Sequence, residues 1–358
     1  MSRMIHRLAM EVEFPEGVCP GDGKDSNIIR VARNGRGSPV LRGTAIAGVL
    51  RHSWSALHDL STEDERVQNW FGSALSGANE TQPSQLRVHD AVMSAGKESD
   101  AAITLRTHNA IDRHRGASLE GSLFSLEALP PGSRTFFYLY VEEIDGEQPT
   151  PSNNAREFLT ELVAILKTGA SFGGNSARGI GRVTLVGDPL YASYDWDSLD
   201  EQIAWLDEER SVRCASLPTS GVPIKPESVA EQTSLTVRCV LGIPRAQDLL
   251  IGDGQGLDYE MEPQRVTHVD DQLYWRIPGS SLRGVFRGWF TRLAARSGLP
   301  VADSVDRHNS RTEAQESLSG EQIAWGFTDA REREQKQDTL AAPGISLEDV
   351  IECPIMRL

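Results

Sequence analysis

The sequence predicts an α+β fold made of two similar units, and the first observation behind this prediction is an internal repeat. Residues 40–54 (VLRGTAIAGVLRHSW) align without gaps on residues 276–290 (RIPGSSLRGVFRGWF), so that Gly43 falls on Gly279. In each copy a Gly and a hydroxyl residue come before apolar residues at helical spacing, which predicts the start of a helix. The second observation is the order of predicted elements in the first unit, with about one helix for every two strands. This order favours helices grouped on one face of a mainly antiparallel sheet, as in ferredoxin-like folds.

The elements of the first unit follow from alternation, helical periodicity and turn residues. Strands are predicted where apolar and polar residues alternate, and helices where apolar residues recur every three or four positions. In chain order they are strands at 4–14 and 28–33, a helix from Gly43 to about residue 60, a helix within 61–77, a strand at 85–94, strands at 122–129 and 134–144 around a PPG turn, a helix at 154–170, and a strand entered from the Gly-rich residues 172–183.

Residues 195–230 are predicted to connect the two units, because a short acidic helix there is followed by a Pro- and Ser-rich stretch. The predicted apolar face of that helix consists of Trp196, Leu199, Ile203 and Leu206. The second unit begins at a strand, residues 234–243, and contains the second copy of the repeated helix. Residues 295–350 are polar and contain no second Gly-rich loop. The second unit is therefore predicted to be incomplete, either because the chain is truncated or because a partner chain completes its sheet.

Composition places the chain among soluble globular proteins with no membrane span. It is 39% apolar and 24% charged, and no apolar run approaches the ~20 residues that a spanning helix needs. The four cysteines form no CxxC pair, which indicates a reducing cytoplasm and argues against a structural zinc site. The net charge of −15 weighs against nucleic-acid binding unless basic loops are concentrated locally.

The start of the repeated helix is a candidate anion site. Thr44 and Ser280 are placed to cap the first free N–H groups, and open N–H groups at a helix N-terminus bind anions. The arginines within reach of such an anion are Arg42, Arg51, Arg283 and Arg287. A Gly one turn into each copy, Gly48 or Gly284, indicates that something approaches closely. The alternative is close packing of two helices with solvated arginines.

The Gly-rich loop, FGGNSARGIGRV at 172–183, is a second candidate ligand site. Gly173 and Gly174 allow close backbone approach to a ligand, and Arg178 and Arg182 add positive charge. A dinucleotide-binding loop follows a strand and opens a helix, whereas here a helix precedes and a strand follows. A plain turn is the remaining alternative.

Together these features resemble the repeat-associated mysterious protein (RAMP) superfamily of CRISPR-associated proteins, in particular the backbone subunits of type III effector complexes. The resemblance lies in the helix start, the phrase RVHDAV at 87–92, the segment THNAIDRHRGAS at 107–118 before the PPG turn, and the Gly-rich loop, which occur in the family's order. The resemblance implies two ferredoxin-like or RRM-like domains in tandem, at 1–194 and 231–358, as in the fused backbone subunits of some type III systems.

The resemblance also implies binding to a guide RNA, to its target RNA and to other effector subunits. Residues 102–133 match the hairpin "thumb" that such subunits push into the guide–target duplex, with Arg106, Arg113 and Arg115 as phosphate contacts. Such contacts position the guide without reading its sequence, because base pairing supplies the specificity. A solvated surface loop is the alternative interpretation of this segment.

In the nuclease members an Asp ahead of the first repeated helix is needed for target cleavage, and the matching residue here is Asp25. A carboxylate is a weak base for a hydroxyl, so Mg²⁺ held by Asp25 is expected to assist. Asp22 competes with Asp25 for this role, and a turn carboxylate is the alternative for both. Asp258 is the nearest equivalent in the second unit, at a longer spacing from its helix.

Three functions therefore remain open at this point. The first is an endoribonuclease subunit, the second is a non-catalytic guide-binding subunit with the same fold, and the third is an unrelated α+β module with a nucleotide-like ligand. The scattered histidines are not spaced as metal ligands and are expected to be exposed or satisfied within the core.

Overall fold

The structure is a computed structural model, and the following description covers only part of the chain. The described residues are 3–25, 28–61, 63–73, 82–94, 103–108, 123–144, 155–174, 179–213, 217–218, 220–225, 264–269, 272–299, 327–328, 340–341 and 350–354.

Sixteen strands and five helices are present in these residues. The strands are β1 (Arg3–Phe14), β2 (Gly21–Asp25), β3 (Ile28–Val31), β4 (Val40–Leu41), β5 (Leu86–Val88), β6 (Ala91–Val92), β7 (Thr104–His108), β8 (Phe124–Ala128), β9 (Ser133–Ile144), β10 (Thr184–Asp195), β11 (Val222–Pro223), β12 (Arg265–Thr267), β13 (Leu273–Ile277), β14 (Phe327–Thr328), β15 (Leu340–Ala341) and β16 (Val350–Pro354). The helices are α1 (Gly43–Leu57), α2 (Glu65–Phe71), α3 (Ala155–Lys167), α4 (Leu199–Arg213) and α5 (Gly279–Arg296).

The first unit is built on a five-stranded antiparallel sheet in the order β11-β10-β1-β9-β5. β1 lies at its centre and pairs with β9 over its whole length. Successive side chains of a strand point to opposite faces, so the alternation seen in the sequence divides β1 between two cores. Leu8 and Met10 enter the larger core, and Ile5 and Ala9 enter a smaller one on the opposite face.

Helices α1 and α3 cover the larger core. Buried Ile46, Leu50 and Trp54 recur at four-residue spacing on α1, as the sequence predicts. The ring of Trp54 meets Phe158 of α3 edge-on, and Trp70 of α2 stacks on the same Phe158 with ring centroids 4.2 Å apart. The mixed α+β architecture and the two principal helices of the first unit are therefore confirmed.

The segment predicted to be a connector packs on the first unit instead, and this corrects the predicted boundary. Helix α4 covers the smaller core with Trp205, and β11 extends the sheet by pairing with β10. Of the predicted apolar face, Leu199, Ile203 and Leu206 are exposed. These three residues face outward because Glu208, on another side of α4, forms an ion pair with the fully buried Arg7 of β1. The ion pair turns the Glu208 side of the helix towards the sheet.

A smaller sheet in the order β2-β3-β8-β7 lies at one end of the first unit. β7 and β8 form an antiparallel pair from Thr104–Ala128 to His108–Phe124, and β8 runs parallel to β3. These two strands are the base of the predicted thumb. Its tip, residues 109–122, lies outside the described residues.

The described part of the second unit contains α5 and the sheet β12-β13-β16. It contacts the first unit at the PPG turn, where the Val269 amide donates to the carbonyl of Pro131 at 3.2 Å. The predicted strand at 234–243 lies outside the described residues. Of the helices in the described ranges, none is both long enough and apolar enough to cross a lipid bilayer.

Candidate nucleic-acid interface

The Gly-rich loop (172–183), the β2–β3 hairpin (21–31) and the thumb base (β7 and β8) meet at one place on the first unit. This surface is called the corner below. The loop 15–20 joins them through backbone hydrogen bonds. The Gly174 amide donates to Cys19 O at 2.8 Å, and the Gly181 amide donates to Gly17 O at 2.8 Å. The Ala32 amide, just after β3, donates to Pro20 O at 2.6 Å. Three of the segments singled out from the sequence therefore form one continuous backbone surface.

Two glycines of the Gly-rich loop are required by close packing of protein backbone. Gly173 and Gly181 both have positive φ, at 80° and 90°. A Cβ at Gly173 would overlap the carbonyl of Cys19, and a Cβ at Gly181 would overlap the carbonyl of Phe172. Gly173 and Gly174 are nevertheless exposed, so their peptide groups are accessible at the surface of the corner.

Two arginines of this loop were predicted to add positive charge, and the structure describes one of them. Arg182 is exposed, and its guanidinium group lies over Gly169 at the end of the preceding helix. Arg178 lies outside the described residues. Arg182 therefore places a positive charge at the end of α3, beside Gly169.

Both candidate aspartates belong to strand β2 of the β2–β3 hairpin. Asp25 is the last residue of β2, and its backbone pairs with that of Ile28 in β3. The side chain of Asp25 lies outside the described part of the structure. Asp22 lies three residues earlier, and its half-exposed carboxylate forms an ion pair with Arg42. Asp22 and Asp25 therefore both stay predictions for the catalytic role, and of the two only Asp22 has a described side-chain partner.

The position of Arg106 contradicts the prediction that this thumb residue contacts an RNA phosphate. Its guanidinium group lies inside the protein near Cys19 and Glu16, and burial lowers its pKa to about 10. A side chain in this position supports the base of the thumb from within and cannot contact a phosphate directly. Arg113 and Arg115, at the predicted tip, lie outside the described residues.

Cys19 is the neighbour that links this base to the Gly-rich loop. Its backbone carbonyl accepts the Gly174 amide, and its buried side chain packs with Leu126 and Ala128 of β8. Burial raises the pKa of the Cys19 thiol to about 11, so the thiol is neutral at pH 7. Cys19 therefore serves packing at the corner rather than chemistry.

The start of α1 is not the open anion site that the sequence predicts. The helix begins at Gly43, and the residue before it makes no side-chain cap. A carboxylate already lies at this position, because Asp90 accepts the Gly43 amide at 2.7 Å. The hydroxyl of Thr44 therefore does not cap the helix. Asp90 lies in the segment RVHDAV (87–92). The acidic residue in this segment is the sequence feature that could have predicted a carboxylate at the helix start.

The arginines near this helix start also have partners in the protein. Arg42 forms the ion pair with Asp22, and the half-buried Arg51 donates to the carbonyl of Gly72 at 3.1 Å. Arg42 is about half exposed and faces the hairpin, so it remains a candidate phosphate contact at the corner. Arg51 is directed towards the turn after α2 and is not part of the corner.

Gly43 and Gly48 make a matched pair for a stability test. A Cβ at Gly43 would overlap the carbonyl of Val88, whereas none of the surrounding atoms lies within 4 Å of a Cβ built at Gly48. We expect Gly43→Ala to lower the free energy of unfolding by about 1–3 kcal/mol. Gly48→Ala is expected to raise it by about 0.5–1 kcal/mol, because the helix gains propensity without a clash. Urea unfolding followed by circular dichroism measures both, and equal changes in the two variants would contradict this difference.

The second copy of the repeated helix, α5, starts in the same way as α1, but it is not part of the corner. Helix α5 starts at the buried Gly279 after Pro278, again without a side-chain cap, so Ser280 does not cap it. Arg283 and Arg287 are half-buried on this helix. Asp258, the second predicted catalytic residue, lies outside the described residues.

The face of the large sheet that an RRM-like fold uses to stack bases is covered by α4. Trp205 meets Tyr140 and Tyr194 edge-on, with ring centroids 5.1 and 5.5 Å apart. Beside it, Arg7 donates to the Tyr194 hydroxyl at 2.7 Å and forms the ion pair with Glu208. Aromatic rings and arginine are the groups that bind single-stranded RNA on open sheets. Here they contact α4, so this face is not open to bases.

Mg²⁺ at the corner stays a prediction, in which Asp25 would supply a carboxylate oxygen. In the described ranges, no three His, Cys, Asp or Glu side chains come together as a metal-binding group. Carboxylate and phosphate oxygens with water are the ligands that Mg²⁺ takes when bound together with nucleic acid. The chemistry of Asp25 fits such an ion, provided that RNA and water supply most of its ligands.

Comparison with known proteins finds a family model that is similar to the part of the chain containing the corner. The model of the RAMP superfamily matches residues 18–184, which extend from the loop before β2 through the thumb and the Gly-rich loop to the first residue of β10. No curated protein matches the chain. The matched segment contains the RVHDAV phrase, the thumb base and both exposed glycines, in the order that the sequence analysis used. The residues that form the corner are therefore similar to the RAMP superfamily, the CRISPR-associated family whose features the sequence resembles.

Proposed function

We propose that this chain binds a guide RNA as a subunit of a type III CRISPR effector complex and cleaves the complementary target RNA beside Asp25. The RAMP superfamily match supports an RNA-binding, CRISPR-associated role. The observation that carries the proposal is the meeting of the β2–β3 hairpin, the thumb base and the Gly-rich loop at one corner.

The covered faces of the sheet favour the corner as the path of the RNA. Helices α1 and α3 cover one face, and α4 covers the other with Trp205. The exposed arginines Arg42 and Arg182 lie at the corner, whereas Asp200, Glu201 and Asp207 belong to α4. A chain with net charge −15 can bind a polyanion when its acidic and basic side chains are separated in this way.

Each part of the corner has a distinct task in the proposed reaction. The exposed peptide groups of Gly173 and Gly174 allow the guide backbone to approach closely, and Arg182 neutralises a phosphate. The thumb bends the target strand next to Asp25. A bent strand brings a ribose 2′-hydroxyl in line with the adjacent phosphate, so that O2′–P forms and P–O5′ breaks. The products are a 2′,3′-cyclic phosphate and a free 5′-hydroxyl.

Asp25 acts on this reaction by orienting the 2′-hydroxyl or a group that accepts its proton. An ordinary carboxylate with a pKa near 4 is a weak base, so geometry must contribute most of the effect. A Mg²⁺ ion held by Asp25, phosphate oxygens and water would neutralise charge that develops on the phosphate. Asp258 is proposed for the same role in a tandem second domain.

A non-catalytic guide-binding subunit is the second candidate, and the Asp22–Arg42 ion pair favours it. This pair neutralises the one hairpin carboxylate whose side chain the structure describes. If Asp25 is likewise held by a protein cation, the corner binds RNA without cutting it. Both candidates require the same RNA path and differ only in the chemistry at Asp25.

The RNA path is tested with charge reversals at the corner and a matched reversal elsewhere. We expect Arg182→Glu and Arg42→Glu each to weaken guide-RNA binding about tenfold and to reduce the salt dependence by roughly one phosphate contact. Arg66→Glu, an exposed residue of α2 on the helical face, serves as the control and is expected to bind as the unaltered protein does. Filter binding or fluorescence anisotropy at several salt concentrations measures all three. Equal losses in the three variants would show that binding is diffuse and would contradict the path.

A further inference from the structure

A small cleft with an aromatic floor lies on the side of the large sheet that α1 and α3 cover. It is found where the end of α1 meets α2 and the first two turns of α3, and its volume is about 90 Å³. The floor consists of Trp54, Trp70 and Phe158, all of which are buried. Trp70 stacks on Phe158 with ring centroids 4.2 Å apart, and Trp54 meets Phe158 edge-on at 5.7 Å. Because the rings hold one another in place, the cleft is preformed.

Two carboxylates of α3 make the rim of this cleft negative. Glu157 and Glu161 are four residues apart, so their side chains lie on the same face of the helix, one turn apart. Glu157 is exposed, and none of the described residues forms a hydrogen bond or an ion pair with its carboxylate. Arg66 also lines the cleft, but its guanidinium group is paired with Asp64 at 3.1 Å. The charge of Glu157 is therefore left unmatched by the cation beside it.

Glu161 uses one of its two carboxylate oxygens to hold the floor of the cleft. Its Oε2 accepts a hydrogen bond from the indole N–H of Trp54 at 2.7 Å and lies 3.2 Å from Nε2 of His58. Its Oε1 has no such donor among the described residues, and it is not a buried atom without a partner. Oε1 therefore reaches the surface of the cleft and can accept a hydrogen bond from a bound group.

The size and the charge of the cleft favour a guanidinium group over other ligands. A volume of about 90 Å³ is smaller than the roughly 300–1,000 Å³ of sites for nucleotides and drug-sized ligands. The two carboxylates repel phosphate, and in the described ranges no three His, Cys, Asp or Glu side chains are arranged to hold a metal ion. A guanidinium group is planar, donates to carboxylates in a fixed fork and packs its face on aromatic rings. The ammonium group of lysine lacks this planar face.

We propose that this cleft binds an arginine side chain that a partner protein presents. Glu157 and Oε1 of Glu161 accept hydrogen bonds from the guanidinium group, and the aliphatic stem packs against the rings of Trp54 and Trp70. Every side chain that lines the cleft belongs to the described part of the chain, and the exposed Glu157 and Arg66 mark its opening. The proposal does not depend on RNA binding or on cleavage, because Glu157 lies at the opposite end of α3 from the Gly-rich loop.

Titration of the full-length protein with three short peptides tests the chemistry of the site. The probes are acetyl-Gly-Arg-Gly-amide, the same peptide with citrulline, which keeps the shape without the charge, and the same peptide with lysine. The indole N–H signals of the protein are followed by NMR, because the Trp54 N–H donates to Glu161 and reports on the cleft. We expect the arginine peptide to shift the Trp54 signal saturably, with a dissociation constant on the order of 1 mM. The lysine peptide is expected to bind more weakly and the citrulline peptide not at all.

Glu157→Gln is the decisive variant, because this exposed side chain can be changed without loss of a described contact. We expect it to weaken binding of the arginine peptide about fivefold, the upper end for an exposed ion pair, and to leave urea unfolding unchanged. Adding Glu161→Gln is expected to abolish the saturable shift, while the new amide oxygen still accepts the Trp54 N–H. Glu65→Gln removes the same charge from an exposed position of α2 outside the cleft, and this control is expected to bind normally.

The proposal is overturned by any of four results. The first is no saturable shift of the Trp54 signal with the arginine peptide, as would be seen if another segment of the chain filled the cleft. The second is equal binding of the citrulline peptide, which would show that shape and not charge is recognised. The third is equal binding of the lysine peptide, which would exclude a site for guanidinium. The fourth is unaltered binding by Glu157→Gln.

Discussion

Asp25→Ala is expected to abolish cleavage of target RNA and to leave guide-RNA binding unchanged. Loss of a group that assists proton transfer lowers rates by about 10²–10⁴-fold, and loss of a metal ligand in addition places the effect at the upper end of this range. Binding is preserved because the backbone pairing of Asp25 with Ile28 does not involve its side chain. The measurement is single-turnover cleavage of a labelled target by the assembled complex in Mg²⁺.

Asp22→Ala is the matched control for this prediction. Asp22 lies on the same strand and forms an ion pair with Arg42. Its removal leaves Arg42 free to contact RNA, so cleavage is expected to change less than about tenfold, within the scale of one exposed ion pair. Full cleavage by Asp25→Ala, together with loss of cleavage by Asp22→Ala, would show that Asp22 and not Asp25 is the catalytic residue. Full cleavage by both variants would show that neither carboxylate is needed, whereas no cleavage by the unaltered complex would favour the non-catalytic subunit.

Arg7→Ala is expected to have the largest effect on stability, at about 3–5 kcal/mol. The Arg7 side chain is fully buried, forms an ion pair with Glu208 and donates to the Ser220 carbonyl at 2.7 Å. Removing the guanidinium group leaves the largely buried Glu208 carboxylate without its counter-charge and detaches α4 from the sheet. Burial lowers the pKa of Arg7, which shows that its environment opposes an isolated charge. Urea unfolding measures the loss.

The double variant Arg7→Met with Glu208→Leu distinguishes the ion pair from its packing. Replacing both members of a buried ion pair by apolar residues of similar size is often neutral or stabilising. We therefore expect the double variant to recover most of the stability lost in Arg7→Ala. A loss below about 1 kcal/mol in Arg7→Ala, the scale of an exposed ion pair, would show that α4 is not held by this contact.

The elements with strong local patterns were predictable from the sequence. β1, β9, α1 and α3 alternate or repeat as buried elements must, and their observed bounds agree with the predicted ones to within a few residues. β2 was not predicted, because its residues GDGKD have neither apolar alternation nor β propensity. It forms by pairing with β3, which is a property of the fold rather than of the segment.

The errors at the candidate site come from partners that are distant in the sequence. Helical periodicity places Leu199, Ile203 and Leu206 inward, but Glu208 turns towards Arg7, about 200 residues earlier in the chain. The resemblance to the thumb made Arg106 a predicted phosphate contact, whereas its guanidinium group lies inside the protein near Cys19 and Glu16. The family resemblance placed the Gly-rich loop and the hairpin in the right order, and the structure brings them together.

Photo-crosslinking of bound guide RNA, with the attached peptides identified by mass spectrometry, tests the central claim most directly. The claim is that the guide crosses the corner of the first unit and not the faces of its large sheet. We expect crosslinked peptides from residues 20–30, 103–123 and 172–183. Crosslinks confined to α4, or to the outer surfaces of α2 and α3, would contradict the claim.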